Sequence, residues 1–524
     1  MRKITASKAA AMFHAGGETA FLDLREAGQF GESHPLFAIP LPYSVLELRV
    51  RQLVPRRDTP ILLLDNGDGI AKRGAARLAR MGYGDQRIIE GGMPAWAEAG
   101  LGVYKGVNVP SKLLGELAEA IWHPQMITAP MLSEWRRSGC RFRFFDARPP
   151  VEYATMRVPG AVCLPNGELA HRAATFEGME ADPVVITCAG RTRGIVGAIG
   201  MRLAGYPGKV LALENGTQGW ALAGETLERG QEADIYPALT PAALERSREG
   251  ADNILSRFGL PEIDTDTAAA MLQEEERTTY LLDTRSPTEA RNDPVSGAIN
   301  APAGQLAQAT DQWIGTFRAR LILCCDTGLR SALAGFWLAQ MGYDVQILRL
   351  EDGRATLPAI ADGASTPPGL RSLDAEDAVA AMRAGAALID LRPSMRYRAG
   401  HVKGAFWSSR PGLPRLPAKL RGRAVVMIAD DAARAAYSAQ DLRDAGIADI
   451  SLVRGGHEAL EKMGAAVVMT PDDPTDADCI DHLFFVHDRH HGNLDASRKY
   501  LEWETGLVTQ LSPRERNEYR LFHP

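Results

Sequence analysis

Short apolar, β-branched runs alternate along this chain with stretches in which Ala, Met and Leu recur at helical spacing, and the whole alternation repeats four times. Each repeat opens on a helix whose first residue is a Ser, Thr or Asp suited to capping free N–H groups, and runs into an apolar strand ending in Asp-x-Arg. The four openings are Thr5 to Ala15 leading to Phe21-Leu22-Asp23-Leu24-Arg25, and Thr128 to Ser138 leading to Phe144-Phe145-Asp146-Ala147-Arg148. They recur as Asp264 to Gln273 leading to Leu281-Leu282-Asp283-Thr284-Arg285, and as Ser372 to Ala384 leading to Leu388-Ile389-Asp390-Leu391-Arg392.

Three further pieces follow in the same order. A Gly-Ala step lies at Gly160-Ala161, Gly297-Ala298 and Gly404-Ala405, with a blurred counterpart around Ala38-Ile39-Pro40. A buried-type strand, a loop and a helix then run from Ile61 to Gly82, Val184 to Gly205, Leu321 to Gly342, and Val425 to Gly446. A last strand closes on Glu90-Gly91-Gly92, Glu214-Asn215-Gly216, Glu351-Asp352-Gly353 or Arg454-Gly455-Gly456, and the first two closures are followed by Trp96 and Trp220, which read as core residues.

Strands and helices alternating at this spacing predict α/β domains, each a small parallel sheet with helices on both faces. Each repeat is roughly 100 residues long, the size of a small domain. The predicted domains are 1–108, 125–235, 258–362 and 370–472, with a helical tail at 473–524. Pro110 to Ile121 reads as an amphipathic linker helix, Asp234 to Pro261 joins repeats two and three, and Thr366-Pro367-Pro368-Gly369 joins three and four. In the tail, Leu494 to Gly506 has helical periodicity, and Ser512-Pro513-Arg514-Glu515 is a capping box with Pro at the first helical position.

The totals narrow the function classes. A net charge of −6 over 524 residues gives no reason to expect nucleic acid or an anionic membrane as partner. No apolar run approaches the roughly 18–20 residues of a membrane span, and polar residues from Lys8 onward interrupt any signal-like apolar core. Six cysteines, two of them adjacent at 324 and 325, make no disulfide framework, so a cytoplasmic location is the simplest expectation.

The chemistry lies in the third piece. Seventeen positions before the closing Gly205, Gly342, Gly82 and Gly446 stand Cys188, Cys325, Asp65 and Ala429 respectively, so two loops carry a thiol and two do not. Repeat two reads Cys188-Ala189-Gly190-Arg191-Thr192-Arg193-Gly194, and repeat three reads Cys325-Asp326-Thr327-Gly328-Leu329-Arg330-Ser331. A strand–loop–helix turns backbone N–H groups and the positive end of a helix dipole into the loop, which favours a thiolate at its lip. The bland reading is that each cysteine is a small buried hydrophobe.

Taken together, the Asp-x-Arg strand, the Gly-Ala step, the Cys loop and the Gly-Gly-x-x-x-Trp close resemble the rhodanese (thiosulfate sulfurtransferase) family over nearly all the chain except the last fifty or so residues. The resemblance implies four tandem rhodanese-like domains and a persulfide carried on the loop cysteine. It implies a small sulfur-containing anion such as thiosulfate as donor, and a thiol, cyanide-like nucleophile or sulfur-acceptor protein as acceptor. It also implies that repeats one and four are silent, and it calls for no cofactor.

The residues fit that chemistry. Cys188 is the candidate nucleophile, with Arg191 and Arg193 offering charge-assisted hydrogen bonds to the donor and to departing sulfite, and Gly190 letting the backbone curl toward the sulfur. Ala189, Thr192 and Gly194 line the same loop, and Arg148 is a further candidate facing it, although the four Asp-x-Arg arginines are expected chiefly to brace the fold through ion pairs. Cys325 is a second candidate with Gly328 and Arg330 around it, but Asp326 beside it should oppose thiolate formation. Cys324 should face the opposite way on its strand.

Two other classes compete. A cysteine-dependent phosphatase uses a similar loop, but needs one more residue than the four between Cys188 and Arg193 or between Cys325 and Arg330. A non-catalytic binding or sensing scaffold would explain the two repeats that lack a thiol. In the tail, Cys479, His482, His487, His490 and His491 suggest a metal site only weakly, since no partner set of ligands accompanies them, and no metal is expected.

Overall fold

The computed structural model describes residues 2–175, 182–350, 357, 366–416, 420, 422–487 and 493–524. Each repeat builds a five-stranded parallel sheet of the same topology. In repeat two the spatial order is Gln125–Ile127, Val210–Leu213, Val184–Thr187, Arg143–Asp146 and Val162–Cys163. The loop-bearing strand therefore sits at the centre, fully buried along Val184 to Thr187, with apolar clusters on both faces. This is why these strands read as continuous apolar runs rather than as alternating ones.

The predicted starts hold in repeats two and three. The Thr128 side chain accepts from Met131 N and the Asp264 side chain from Thr267 N, each capping its helix. Repeat four differs: Ser372 lies on the edge strand Arg371–Leu373, and the helix Ala375–Arg383 starts after Asp374. All four Asp-x-Arg motifs are buried ion pairs, with the Arg backbone N–H and guanidinium both donating to the Asp two residues before. Trp96 and Trp220 are buried, and each indole donates to the carbonyl six residues on, Gly102 and Thr226.

The chain divides into two compact units, and the division does not follow chain order. One comprises Met1–Ala10, Phe21–Val107 and Gly363–Phe484, so it pairs repeats one and four. There Arg410 joins the two repeats, donating to Glu47 at 2.6 and 2.8 Å and to Asp441 at 2.9 Å.

The other unit comprises Ala11–Ala20, Asn108–Asp362 and Phe485–Pro524. It pairs repeats two and three, whose backbones meet so closely that a Cβ on Gly304 would stand 2.4 Å from the Asn166 carbonyl oxygen. The stretch expected as a linker between repeats one and two is the helix Val109–Trp122, buried from Val109 to Ala118 and packed against both the helix Thr192–Leu203 and the tail helix Leu494–Gln510. The connection between repeats two and three contains the eighteen-residue helix Pro241–Phe258. The capping box at Ser512–Glu515 forms as expected. The Glu351-Asp352-Gly353 closure, the side chain of His487, and His490 and His491 lie outside the described residues.

Candidate active site

The loop's physical character shows most plainly in repeat one. Asp65, at the cysteine position, turns its carboxylate back into the loop and accepts the backbone N–H groups of Gly67 at 2.8 Å, Gly69 at 3.1 Å and Ala71 at 2.9 Å. Three converging N–H donors at a helix start form an anion cradle. The closing glycine is part of it: Gly92 has φ +59°, and a Cβ there would lie 2.3 Å from the Asp65 carbonyl oxygen.

Repeat two keeps this construction with a thiol in place of the carboxylate. Gly216 has φ +53° and a Cβ on it would lie 2.2 Å from the Cys188 carbonyl oxygen. The loop carbonyls are tied to the closing helix, with Thr217 N donating to Cys188 O at 2.8 Å and Gln218 N to Ala189 O at 3.2 Å. The Gly194 N–H, six residues on as Ala71 is from Asp65, donates to the Arg191 carbonyl at 3.1 Å and pulls the Cys188 thiol down. Cys188 is buried, 3% exposed.

Its ionisation departs from the expectation of a thiolate. Burial pushes the Cys188 thiol up, and the Arg193 charge and the Gly194 N–H that pull it down do not outweigh the loss of water, while Glu504 and Asp146 push it further up. The arginines show why the pull is weak. Arg193 is held by Glu152 in a two-pronged pair at 2.7 and 2.6 Å. Arg191 turns away to the helix Val109–Trp122, where it donates to Glu116 at 2.8 and 3.1 Å and also pairs with Glu119. Both guanidinium groups expected to meet an incoming anion are thus already neutralised by carboxylates.

Other expected contacts shift in the same way. Arg148 is 2% exposed and engaged by Asp146 and the Met156 carbonyl, so it braces the strand and does not reach into the loop. The Thr192 hydroxyl donates to Glu504 at 2.9 Å. Gly190 has no left-handed φ; a Cβ there would stand 2.8 Å from Glu504 Oε2, so a larger residue would have to displace the carboxylate overhead.

Repeat three looks similar in sequence and differs in structure. Cys325 is fully buried, pushed up by burial and then by Asp326, against the charge of Arg330 and a bond from Ser331. Arg330, 0% exposed, donates to Glu168 at 2.8 Å, Glu289 at 2.6 Å and Asp326 at 2.8 Å, so it bolts repeat three to repeat two. Gly328 has φ +84° and precedes the helix Leu329–Gln340 with Ala251 and Arg349 against it, a packing position. Cys324 packs among Leu281, Ile322 and Leu348 in a cluster that does not include Cys325, in keeping with opposite facings.

Potential metal ligands also meet here. One ligand atom each of His171, Glu289 and Asp326 lies within 4.8 Å of the others. The Arg330 guanidinium already bonds both carboxylates, and burial with the nearby Arg330 charge holds the His171 pKa down at about 3. The cation this cluster calls for is therefore already present.

In repeat four the Ala429 loop borders a cavity of about 270 Å³ lined by Glu26, Ser44, Trp407, Arg434 and Asp481 among others. Asp431 caps the following helix by accepting from Ala433 N and Arg434 N.

The Rhodanese-like domain family matches residues 5–99, 128–223, 264–354 and 374–463. The chain belongs to the rhodanese family. Its fold also superposes on the crystal structure of a thiosulfate sulfurtransferase from Pseudomonas aeruginosa with a TM-score of 0.90 and 32% identity, covering 100% of both chains. A Mycobacterium tuberculosis protein, provisionally named a thiosulfate sulfurtransferase, is 26% identical over 215 residues, covering 38% of this chain and 69% of its own. Among the described residues of this rhodanese, no helix is long and apolar enough to cross a membrane.

Several residues of the site went unseen in the sequence. Glu152 and Glu289 each stand four positions after the Asp-x-Arg arginine, and each pairs with the arginine five positions after its loop cysteine. Repeat four has Arg396 at that place and repeat one Gln29, so the coincidence of Glu with a Cys–Arg loop was a readable signal. Glu116, Glu119, Gln218 and Glu504 carried no such mark.

Proposed function

We propose that this rhodanese moves a sulfane sulfur from thiosulfate or a similar donor to a nucleophilic acceptor through a persulfide on Cys188. The observation that carries the reading is the cradle. The loop that gives three N–H bonds to the Asp65 carboxylate in repeat one recurs in repeat two with Cys188 at the equivalent position, where the Arg193 charge and the Gly194 N–H favour its thiolate. N–H donors fixed around that point work against the burial of the Cys188 sulfur and favour the anionic forms, thiolate and then persulfide, without reorganisation.

In the first half-reaction the Cys188 thiolate attacks the outer sulfur of thiosulfate, the S–S bond breaks, and sulfite leaves with the bonding pair. Arg193 is the loop cation nearest in effect to the sulfur, and release from Glu152 would let it meet the sulfonate oxygens. In the second half-reaction an acceptor attacks the outer sulfur and Cys188 leaves as thiolate. Repeat three is read as structural, since Arg330 is enclosed by three carboxylates and Cys325 lies behind it.

The test is to treat wild type, Cys188→Ala and Cys325→Ala with thiosulfate, follow transfer to cyanide, and map by mass spectrometry which cysteine gains one sulfur. Transfer is expected to vanish in Cys188→Ala and to persist in Cys325→Ala. Full activity in Cys188→Ala would refute the assignment.

A further inference from the structure

Two buried polar side chains beside the Cys188 loop carry atoms with no hydrogen-bond partner among the described residues. Gln218, 2% exposed, has neither Oε1 nor Nε2 hydrogen-bonded among the described residues, and Glu504, 1% exposed, leaves Oε2 unbonded. Both lie over Gly190: a Cβ there would stand 2.8 Å from Glu504 Oε2 and 3.6 Å from Gln218 Nε2, with the edge of the Tyr500 ring at 3.5 Å. Trp503 Nε1, on the same tail helix, is a further buried donor without a described partner. Burying a polar atom unpaired is unfavourable, and two side chains doing so together over Gly190 point to a ligand that pairs with them.

We propose that Glu504 and Gln218 form the acceptor subsite of Cys188, and that it takes a small thiol carrying a protonated amine. This rests on the reading of Cys188 as the sulfur carrier. The charge around the loop sets the class. Four carboxylates, Glu116, Glu119, Glu152 and Glu504, face three cations, Lys112, Arg191 and Arg193, and both arginines are closely paired with the first three. Glu504 Oε1 accepts from the Thr192 hydroxyl, and Lys112 stands 3.6 Å from it while donating to the Tyr500 hydroxyl at 2.6 Å. Oε2 is left for a donor that the described residues do not supply, and an ammonium group is the donor that also answers its charge. The Gln218 amide can accept from the same ammonium or donate to a neighbouring polar group of the acceptor.

A second anion here would meet both Glu504 and the charge of the loaded persulfide. An aminothiol enters with its thiol proton lost to solvent, and its sulfur attacks the outer sulfur of the persulfide. The new S–S bond forms as the old one breaks, the acceptor leaves as an alkyl persulfide, and Cys188 departs as thiolate. No oxidant or reductant is required.

The direct test uses three methanethiosulfonates of different charge, 2-aminoethyl, methyl and 2-sulfonatoethyl, on the full-length protein. Attack by Cys188 gives a mixed disulfide and releases methanesulfinate, and the Cys188 peptide is followed by mass spectrometry. Relative to a small free thiol, the aminoethyl reagent is expected to react at least about tenfold faster than the sulfonatoethyl one, as a focused charge in a cleft produces. Glu504→Gln, which keeps shape and the Thr192 contact, should abolish that preference. Equal relative rates in the wild type, an unchanged preference in Glu504→Gln, or no modification of Cys188 by any reagent would overturn the proposal. A second arm loads Cys188 with thiosulfate and discharges it with cysteamine or mercaptoacetate, expecting cysteamine to be faster in the wild type only. If thiosulfate does not load Cys188, the sulfur-transfer reading fails, while the reagent series still decides the subsite.

Discussion

Arg330 offers the sharpest separation between a structural cation and an anion receptor. It is 0% exposed, and its guanidinium donates to Glu168, Glu289 and Asp326 at 2.8, 2.6 and 2.8 Å. Burial alone would raise both titrating carboxyls, but the Arg330 charge and hydrogen bonds outweigh it and hold Glu289 and Asp326 at about 2. Arg330→Met keeps the stem volume, takes the guanidinium partner from Asp326, and leaves Glu168 and Glu289 to share Arg172. Removing one partner from a buried ion pair costs about 3–5 kcal/mol, which for a unit of this size shifts Tm by roughly 5–8 °C at neutral pH. The pH dependence fixes the sign. In the wild type the depressed carboxyls contribute stability above their unfolded pKa values of 4.5 and 3.8, and lose it as pH falls toward about 2. In the variant the same carboxyls repel, their folded pKa values rise, and protonation relieves the strain as pH falls. Calorimetric Tm values of wild type and variant should therefore lie furthest apart near pH 7.5 and converge toward pH 4, while thiosulfate transfer per folded molecule stays within about twofold. A variant with unchanged Tm and lost transfer would refute the structural role and return repeat three to the mechanism.

Three shorter predictions follow from the same geometry. Glu152→Gln frees Arg193 to act on the sulfur, so alkylation of Cys188 by iodoacetamide at pH 7 should speed up by roughly threefold or more; an unchanged rate would remove Arg193 from thiolate stabilisation. In the wild type that alkylation rate should keep climbing with pH past the ordinary thiol pKa of about 8.5, since burial holds the Cys188 thiol up; a plateau below pH 8 would show a preformed thiolate. Asp65→Ala strips the carboxylate from three buried-loop N–H groups and should cost on the order of 3 kcal/mol in denaturant unfolding of the unit that holds repeats one and four, with Cys188 transfer intact; a change under about 0.5 kcal/mol would mean that the loop finds other partners.

The repeats, the central strands, the caps at Thr128 and Asp264 and the Asp-x-Arg braces were legible because each is local: its partners lie within a few residues. The alignment of Asp65, Cys188, Cys325 and Ala429 on one loop position was legible because the following helix keeps its length. What could not be read was which charge meets which. Arg191 and Arg193 look alike on the page, yet one pairs with a helix seventy-odd positions earlier and the other with its own repeat. Glu504 reaches Thr192 across 312 residues of sequence. The pairing of repeat one with four and of two with three was equally out of reach, because four near-identical sheets offer no local sign of which neighbour each prefers.

The repeat proposed to be catalytic and the repeats proposed to be silent therefore differ less in the loop than in what the neighbourhood brings to it. In repeat one the loop's own side chain fills the cradle. In repeat three the terminal arginine is enclosed by carboxylates from two repeats, and the thiol behind it is sealed. Among the described residues, the terminal arginine of repeat two has a single carboxylate partner, Glu152, which is 39% exposed, and the carboxylate overhead leaves an oxygen unpaired. An exposed partner can be exchanged for a ligand at little cost, because water takes over the released carboxylate, whereas a buried one cannot. That asymmetry, rather than the presence of a thiol, is the physical reason to place turnover at Cys188 and rigidity at Cys325. On the proposed reading, two loops with the same spacing from cysteine to arginine take opposite roles within one unit.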